Sequence, residues 1–497
     1  MNAQHFQPDR LVEQACELAG SDDFGDDDMW RDGLARLCEG LVFEARVNDL
    51  GVEIAVHDVV RPLTSRLQIV KWRTENPDVA AQPVTRPIFI VGQPRTGTTI
   101  LFDLLAQDRA LRAPLTWEVD NPYPLPQPES YDTDPRIAET QASIEMSEQI
   151  VPGLLAFHPM GALIGQECVR ITAGQFRSMI FSVQYRLPSY YRWLLYDADH
   201  QPAYRFHRMF LQHLQSGVPG EWLLKSPAHL WQLDALVAEY PDALIVQTHR
   251  DPLNVISSIS ALTHHLRLLA SDESSITECA TQSCEEIVVG LERGMKLRDA
   301  LAAQRVVDVQ FADFIGDPFA TIRGLYAELG RELEPAAEQN TRRYLAAHPG
   351  DGGASRYCWA DTGLDAGLVR EQVSAYQERY GVPTSRSSSA ADPPRSARAA
   401  DRYRSAHNLA RQDHVRRALS WGVLAVVMRA ADDDLDVVDR GAGAIGQPDL
   451  QPAELHVEFD DDHRPGEPGA SEVQVDGTHP PVQGKPRRHD PLPLALE

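Results

Sequence analysis

Lysine is almost missing from this 497-residue chain: Lys71, Lys225, Lys296 and Lys485 stand against 43 arginines. A generic surface cation here is therefore Arg, and a lysine at the end of a core strand stands out. Lys offers a compact point charge that can follow a small anion, whereas Arg imposes a planar fork. Cysteine is sparse too, six residues with no close pair motif. That argues against a disulfide framework and for reduced thiols in a cytosol. No Cys/His cluster and no H-E-x-x-H pattern asks for a metal. Residues 1–10 are polar, without a positively charged, apolar leader, and the longest late apolar stretch, 421–428, is far too short to span a bilayer. These absences predict a cytoplasmic protein with no stable membrane insertion. The net charge of −25 argues against a nucleic-acid partner. An anionic ligand would have to be held by local donors in a focused pocket, because the whole-protein field opposes it.

What is present is concentrated between residues 88 and 105. Ile88 to Val91 is apolar and β-branched, as a strand covered on both faces should be, and it breaks into the loop Gly92-Gln93-Pro94-Arg95-Thr96-Gly97-Thr98-Thr99. Ile100, Leu101, Leu104 and Leu105 then recur at helical spacing. The loop fits the phosphate-loop spacing G-x-x-x-x-G-K-[ST], but Thr98 occupies the lysine position and the only loop cation is Arg95. Backbone N–H groups at the helix start and the Thr98 and Thr99 hydroxyls suit one anion. Without the lysine that serves a triphosphate, the loop suggests a single phosphate.

Two further strands end in cations. Residues 243–247 read as a buried strand followed by Thr248-His249-Arg250-Asp251-Pro252, where Asp251 is a good N-cap and Pro252 a good first helical residue. Arg250 then sits at the carboxyl end of a parallel strand, where open α/β sheets bind ligands, and Ser258 follows eight residues later. A third strand, 222–224, ends in Lys225-Ser226-Pro227-Ala228-His229. Arg95, Lys225 and Arg250 are thus expected along one edge of one sheet.

With both phosphate sites in place, the sequence resembles the sulfotransferases that use 3′-phosphoadenosine 5′-phosphosulfate (PAPS). The loop Pro94-Arg95-Thr96-Gly97-Thr98-Thr99 is similar to that family's 5′-phosphosulfate loop, Arg250 with Ser258 to its 3′-phosphate site, and Lys225 to its strand-end lysine. The Arg in the loop resembles a bacterial branch and the tyrosylprotein sulfotransferases. Weaker likeness runs through Trp117-Glu118, Gln166-Glu167-Cys168, Asp308 to Phe311, Gly316-Asp317-Pro318 and Tyr326 to Gly330, covering roughly residues 85–383.

The resemblance implies transfer of a sulfuryl group from PAPS to a hydroxyl or amine, leaving 3′,5′-bisphosphoadenosine (PAP), with no metal required. By analogy with phosphoryl transfer, catalysis is positioning plus electrostatic stabilisation. Arg95, the loop N–H groups, Thr98 and Thr99 would hold the 5′-phosphate. Lys225 would bridge the leaving oxygen and the sulfuryl group, and Arg250 and Ser258 would hold the 3′-phosphate. Arg356, in the Gly-rich stretch 350–363, is a further candidate there. Two residues compete as the base. Glu118 lies close to where tyrosylprotein sulfotransferases carry a catalytic glutamate, and His229 follows the strand-end lysine as a histidine does in cytosolic sulfotransferases, though four positions on and past Pro227. Glu167 and His158 are read as acceptor-side residues. A small molecule, a lipid or a carbohydrate would fit as acceptor on these grounds alike. A nucleotide kinase or NTPase, and a non-catalytic PAP-binding protein, are the rival readings.

The expected architecture is α/β: a three-layer, P-loop-like parallel sheet flanked by helices. Residues 1–84 read as a helical subdomain, with stripes at Leu11, Ala15, Leu18 and at Leu34, Leu37, Leu41, Ala45 around an acidic linker at 22–28. Residues 85–383 form the catalytic domain, with the Pro-rich 114–128 and the aromatics Tyr185, Tyr190, Tyr191, Trp193 and Tyr204 as candidate acceptor-pocket material. Residues 384–497, rich in Ser, Pro, Gly, Asp and Arg with little periodicity, read as a disordered tail or as a frameshifted translation of GC-rich DNA.

Overall fold

The strand expected ahead of the Gly-bounded loop is β1 (Ile88–Gly92), the middle strand of a five-stranded, wholly parallel sheet. Its companions are β2 (Leu111–Arg112), β3 (Glu221–Lys225), β4 (Leu244–His249) and β5 (Arg305–Gln310), in the order β2-β3-β1-β4-β5. The computed structural model describes residues 2–301, 305–348 and 357–385. The expected tail falls almost wholly outside them, as does Arg356.

The apolar runs of β1, β3 and β4 follow from burial on both faces. Phe89, Val91, Leu224 and Ile245 pack on one face against Tyr204, Leu236, Leu253 and Val255. Ile88, Ile90, Leu223 and Val246 pack on the other against Leu101, Phe102, Leu105 and Leu325. Each such side chain contributes about 1.5–3 kcal/mol when fully buried. The helix Thr98–Leu105, after β1, lies on the second face, and the helix Pro252–Arg267, after β4, on the first. Asp251 caps the latter, its carboxylate accepting from Leu253 N at 3.2 Å. Because neighbouring strands send their helices to opposite sides, a crevice opens beyond their carboxyl ends.

Ahead of β1, the two striped segments form helices Pro8–Ala19 and Trp30–Phe43. A third helix, Asp49–Glu75, carries no single apolar stripe: it runs unbroken through Pro62 and its buried residues cover more than one side. These helices share one apolar core with Phe176, Phe181, Leu187, Tyr190 and Trp193 from the connection between β2 and β3. The aromatics expected as pocket material are mostly core residues instead. Tyr185 donates to Asp58 Oδ2 at 2.7 Å, Tyr190 to Phe176 O at 2.8 Å, and Tyr204 is buried beside His229. At the other end, the helix Ala366–Tyr380 buries Val369, Val373 and Tyr376 against the face that carries Phe89. No described helix is long and apolar enough to cross a membrane.

Candidate active site

The loop after β1 turns through three residues with positive φ: Gly92 (134°), Arg95 (66°) and Gly97 (89°). A Cβ at Gly92 would stand 2.5 Å from Thr248 Oγ1, and one at Gly97 2.8 Å from the Phe311 ring. Gly97 is the N-cap of Thr98–Leu105 and brings no capping side chain. The first N–H groups of that helix therefore remain for an anion. Thr96, expected only as part of the donor loop, uses its hydroxyl within the protein. Its Oγ1 donates to Gln93 O at 2.6 Å and lies 2.6 Å from Thr248 Oγ1, so it fastens the loop to β4.

Arg95 is not glycine, and its left-handed backbone costs roughly 1–2 kcal/mol. The surrounding bonds offset this: Arg95 Nε donates to Ser258 Oγ at 3.0 Å, and Arg95 O accepts from Arg250 Nη1 at 2.7 Å. The residue expected on the 5′-phosphate thus touches both residues expected on the 3′-phosphate. The Arg250 guanidinium lies 4.2 Å from the Phe311 ring centroid, and its Nη2 donates to Tyr357 OH at 3.2 Å. Stacking and two anchored corners fix the plane of the fork.

Lys225 arrives from β3, in register with Ile90, on the face that carries Thr98–Leu105. Its side chain is 1 % exposed. Nζ donates to Glu167 Oε1 at 2.5 Å and to Thr99 Oγ1 at 3.1 Å, 5.5 Å from the Phe102 ring centroid. Thr99 and Lys225 therefore meet although the loop itself lacks a lysine. Glu167 stands at the N-terminal boundary of the short helix Cys168–Thr172, with no capping bond from its side chain, and keeps about a fifth of that side chain exposed. Burial pushes its pKa up, but Lys225, His158 and Arg95 outweigh that and hold it below the ordinary 4.5. The His158 imidazole is close enough to feel Glu167, Lys225 and Arg95; burial above all pushes it down to about 4, so it is neutral near pH 7.

Neither residue expected as the base joins this cluster. Glu118 is fully buried and its carboxylate is occupied internally: Oε2 accepts from Arg112 Nη2 at 2.7 Å, Oε1 from Leu115 N at 3.0 Å and from Tyr131 OH at 2.8 Å. These bonds cap the helix Thr116–Asp120 and pair a buried arginine. His229 lies across the sheet from Lys225. Its ring sits edge-on to Phe89, 5.0 Å between centroids, and Nδ1 lies 2.6 Å from Tyr204 OH. Burial pushes its pKa well below the ordinary 6.5, and it is a core histidine. The sequence placed both at plausible distances from the motifs, but Pro227 turns the chain toward the opposite face.

A parallel sheet with strand-end cations around a modified phosphate loop is the architecture of a group-transfer enzyme with an anion site at its strand ends. The sequence model of the sulfotransferase family matches residues 87–335, so the chain belongs to the sulfotransferase family, enzymes that transfer a sulfuryl group. Among solved structures, it is similar to sulfotransferase STF1 from Mycobacterium tuberculosis H37Rv, with 31 % identity, TM-score 0.66, and coverage of 74 % of this chain and 98 % of that one. It is also similar to STF9 from Mycobacterium avium, with 27 % identity, TM-score 0.69, and coverage of 76 % and 97 %. A further relative is the omega-hydroxy-beta-dihydromenaquinone-9 sulfotransferase Stf3 of Mycobacterium bovis, 26 % identical over 293 residues, 56 % of this chain and 71 % of that protein.

Proposed function

We propose that this protein transfers a sulfuryl group from PAPS to a hydroxyl or amine, releasing PAP. The observation that carries the reading is the convergence of Arg95, Lys225 and Arg250 from three adjacent strands, with Arg95 bonded to both Arg250 and Ser258. The residues fit such a donor. The glycine-turned cradle and the Thr98–Leu105 start accept one phosphate, and the Arg250 fork with Ser258 accepts a second. PAPS supplies the activated sulfuryl group and a good leaving phosphate. Arg95, Thr98 and Thr99 would neutralise the charge that grows on that phosphate as its S–O bond breaks. Lys225 Nζ would follow the same charge.

We place the proton with Glu167, not with Glu118 or His229. Its Oε1 is the carboxylate oxygen bonded to Lys225, and part of its surface remains open. It would accept the acceptor's proton as the new S–O bond forms. The lowered pKa keeps it deprotonated at neutral pH, and sharing Lys225 with an incoming anion would raise its basicity. For the acceptor we favour a hydroxyl on an apolar molecule. The name of the Stf3 relative describes such an alcohol, and Leu163, four residues before Glu167, is 54 % exposed.

Calorimetric titration of the full chain with PAP, ATP–Mg²⁺ and AMP tests the donor. PAP should bind without metal, and Arg250→Ala should weaken it by roughly a hundredfold, about the worth of one strong charge-assisted hydrogen bond. Binding of ATP–Mg²⁺ in preference to PAP would favour a nucleotide kinase. PAP binding with no turnover of any alcohol or amine acceptor would leave a PAP-binding protein.

A further inference from the structure

Three consecutive residues at the end of β4 are each gripped by the segment that follows residue 356. His249 Nδ1 lies 2.9 Å from Tyr376 OH, and its ring stacks on Tyr380 at 4.5 Å between centroids. Arg250 Nη2 donates to Tyr357 OH at 3.2 Å. Asp251 accepts a fork from Arg370, with Nη1–Oδ1 at 2.5 Å and Nη2–Oδ2 at 3.2 Å, and its Oδ2 also accepts from Ser385 N at 2.8 Å. Asp251 is itself the cap of Pro252–Arg267, the helix that carries Ser258. The other side of His249 is pinned as well: Nε2 is 2.8 Å from Asp308 Oδ1, which Arg298 holds at 2.5 Å.

The sites divide by chain region. Lys225 is held by Thr99 and Glu167, both outside residues 357–385, whereas Arg250 and both its neighbours are held from within that segment. We infer that residues 357–385 are a clamp that positions the 3′-phosphate site, with Arg370 and Tyr376 as positioning residues that act through Asp251 and His249. The inference rests on the PAP-binding reading above. A ligand whose 3′-phosphate engages Arg250 then favours the docked clamp, and a docked clamp favours that ligand by the same factor. Tyr357 has a direct part: its phenol oxygen accepts from Arg250, which leaves its own O–H able to donate to the same phosphate.

The test uses the full chain, with PAP and AMP as probes differing in the 3′-phosphate. Arg370→Gln should raise the Kd for PAP about tenfold and that for AMP less than about twofold, with Arg370→Lys in between because it keeps the charge but loses the fork. Tyr376→Phe, which removes one hydroxyl, should shift the same ratio in the same direction. In the wild type, PAP should slow amide exchange across Ala366–Tyr380 more than AMP does. If Arg370→Gln and Tyr376→Phe leave the PAP-to-AMP ratio unchanged while the wild type distinguishes the two, the clamp is structural only and the inference is overturned. If the wild type binds PAP no better than AMP, the proposed donor site falls, and the clamp with it.

Discussion

Glu167→Gln separates a catalytic carboxylate from a structural one. The substitution is nearly isosteric and leaves a carbonyl oxygen for Lys225, but removes the negative charge 2.5 Å from Nζ. Stripping a partner from a fully buried ion pair costs about 3–5 kcal/mol. Glu167 keeps a fifth of its surface in solvent, and the amide retains a neutral hydrogen bond. The stability loss should therefore be smaller, about 1–3 kcal/mol. The activity loss should be disproportionate: removing a general base costs about 10²–10⁴ in kcat, roughly 3–5 kcal/mol of barrier. PAP affinity should be little weakened, since Arg95, Arg250 and Ser258 are untouched. The wild-type pH profile supplies an independent check. Glu167 is held below its ordinary 4.5, so its contribution to stability is complete above that value and is lost as pH falls through the lowered folded value. In the free enzyme, kcat/KM should carry no acid limb from Glu167 between pH 6 and 8. The decisive assay is single-turnover sulfation with a model alcohol, beside PAP calorimetry and thermal unfolding. A Gln variant that binds PAP, folds, and keeps kcat within about tenfold of wild type would refute the assignment.

Glu118→Gln should act on stability: Arg112, 7 % exposed in its side chain, loses its counter-charge, a cost of about 3–5 kcal/mol in thermal unfolding, while the folded fraction keeps its turnover. A hundredfold loss of kcat at full stability would return Glu118 to the chemistry. His229→Phe should keep kcat within about threefold and shift stability by about 1–3 kcal/mol through packing against Phe89. A large loss of turnover in a folded, PAP-binding variant would show that the ring reaches the acceptor.

The parts of this protein that could be read from its sequence are those in which local pattern and tertiary role coincide. β1, β3 and β4 are continuous apolar runs because both faces are covered, and each ends in a polar turn that leaves its cation at the sheet edge. Arg95, Lys225 and Arg250 were legible for that reason, as was the Asp251–Pro252 helix start. β2 is two residues long and carries no pattern at all. The Asp49–Glu75 helix hid behind Pro62 and a buried surface too broad to make one stripe. The base was harder still. Whether Glu118, His229 or Glu167 meets Lys225 depends on face, cap and loop direction, and the Lys225–Glu167 contact joins residues 58 positions apart. Distance along the chain from a motif carries none of that information.

The long connection between β2 and β3 has a meaning for how such a protein could be altered. Arg95, Lys225 and Arg250 are mounted on the ends of strands locked into the sheet, whereas Glu167, His158 and Leu163 all come from that single intervening stretch, residues 113–220. A change of customer can therefore be sought in one contiguous block of the gene, provided its core residues, such as Phe176, Tyr190 and Tyr204, still support the frame proposed to grip the donor. Grafting the block from another member of the family, with Glu167 and the residues lining its helix kept, is the natural way to re-aim the reaction at a different molecule.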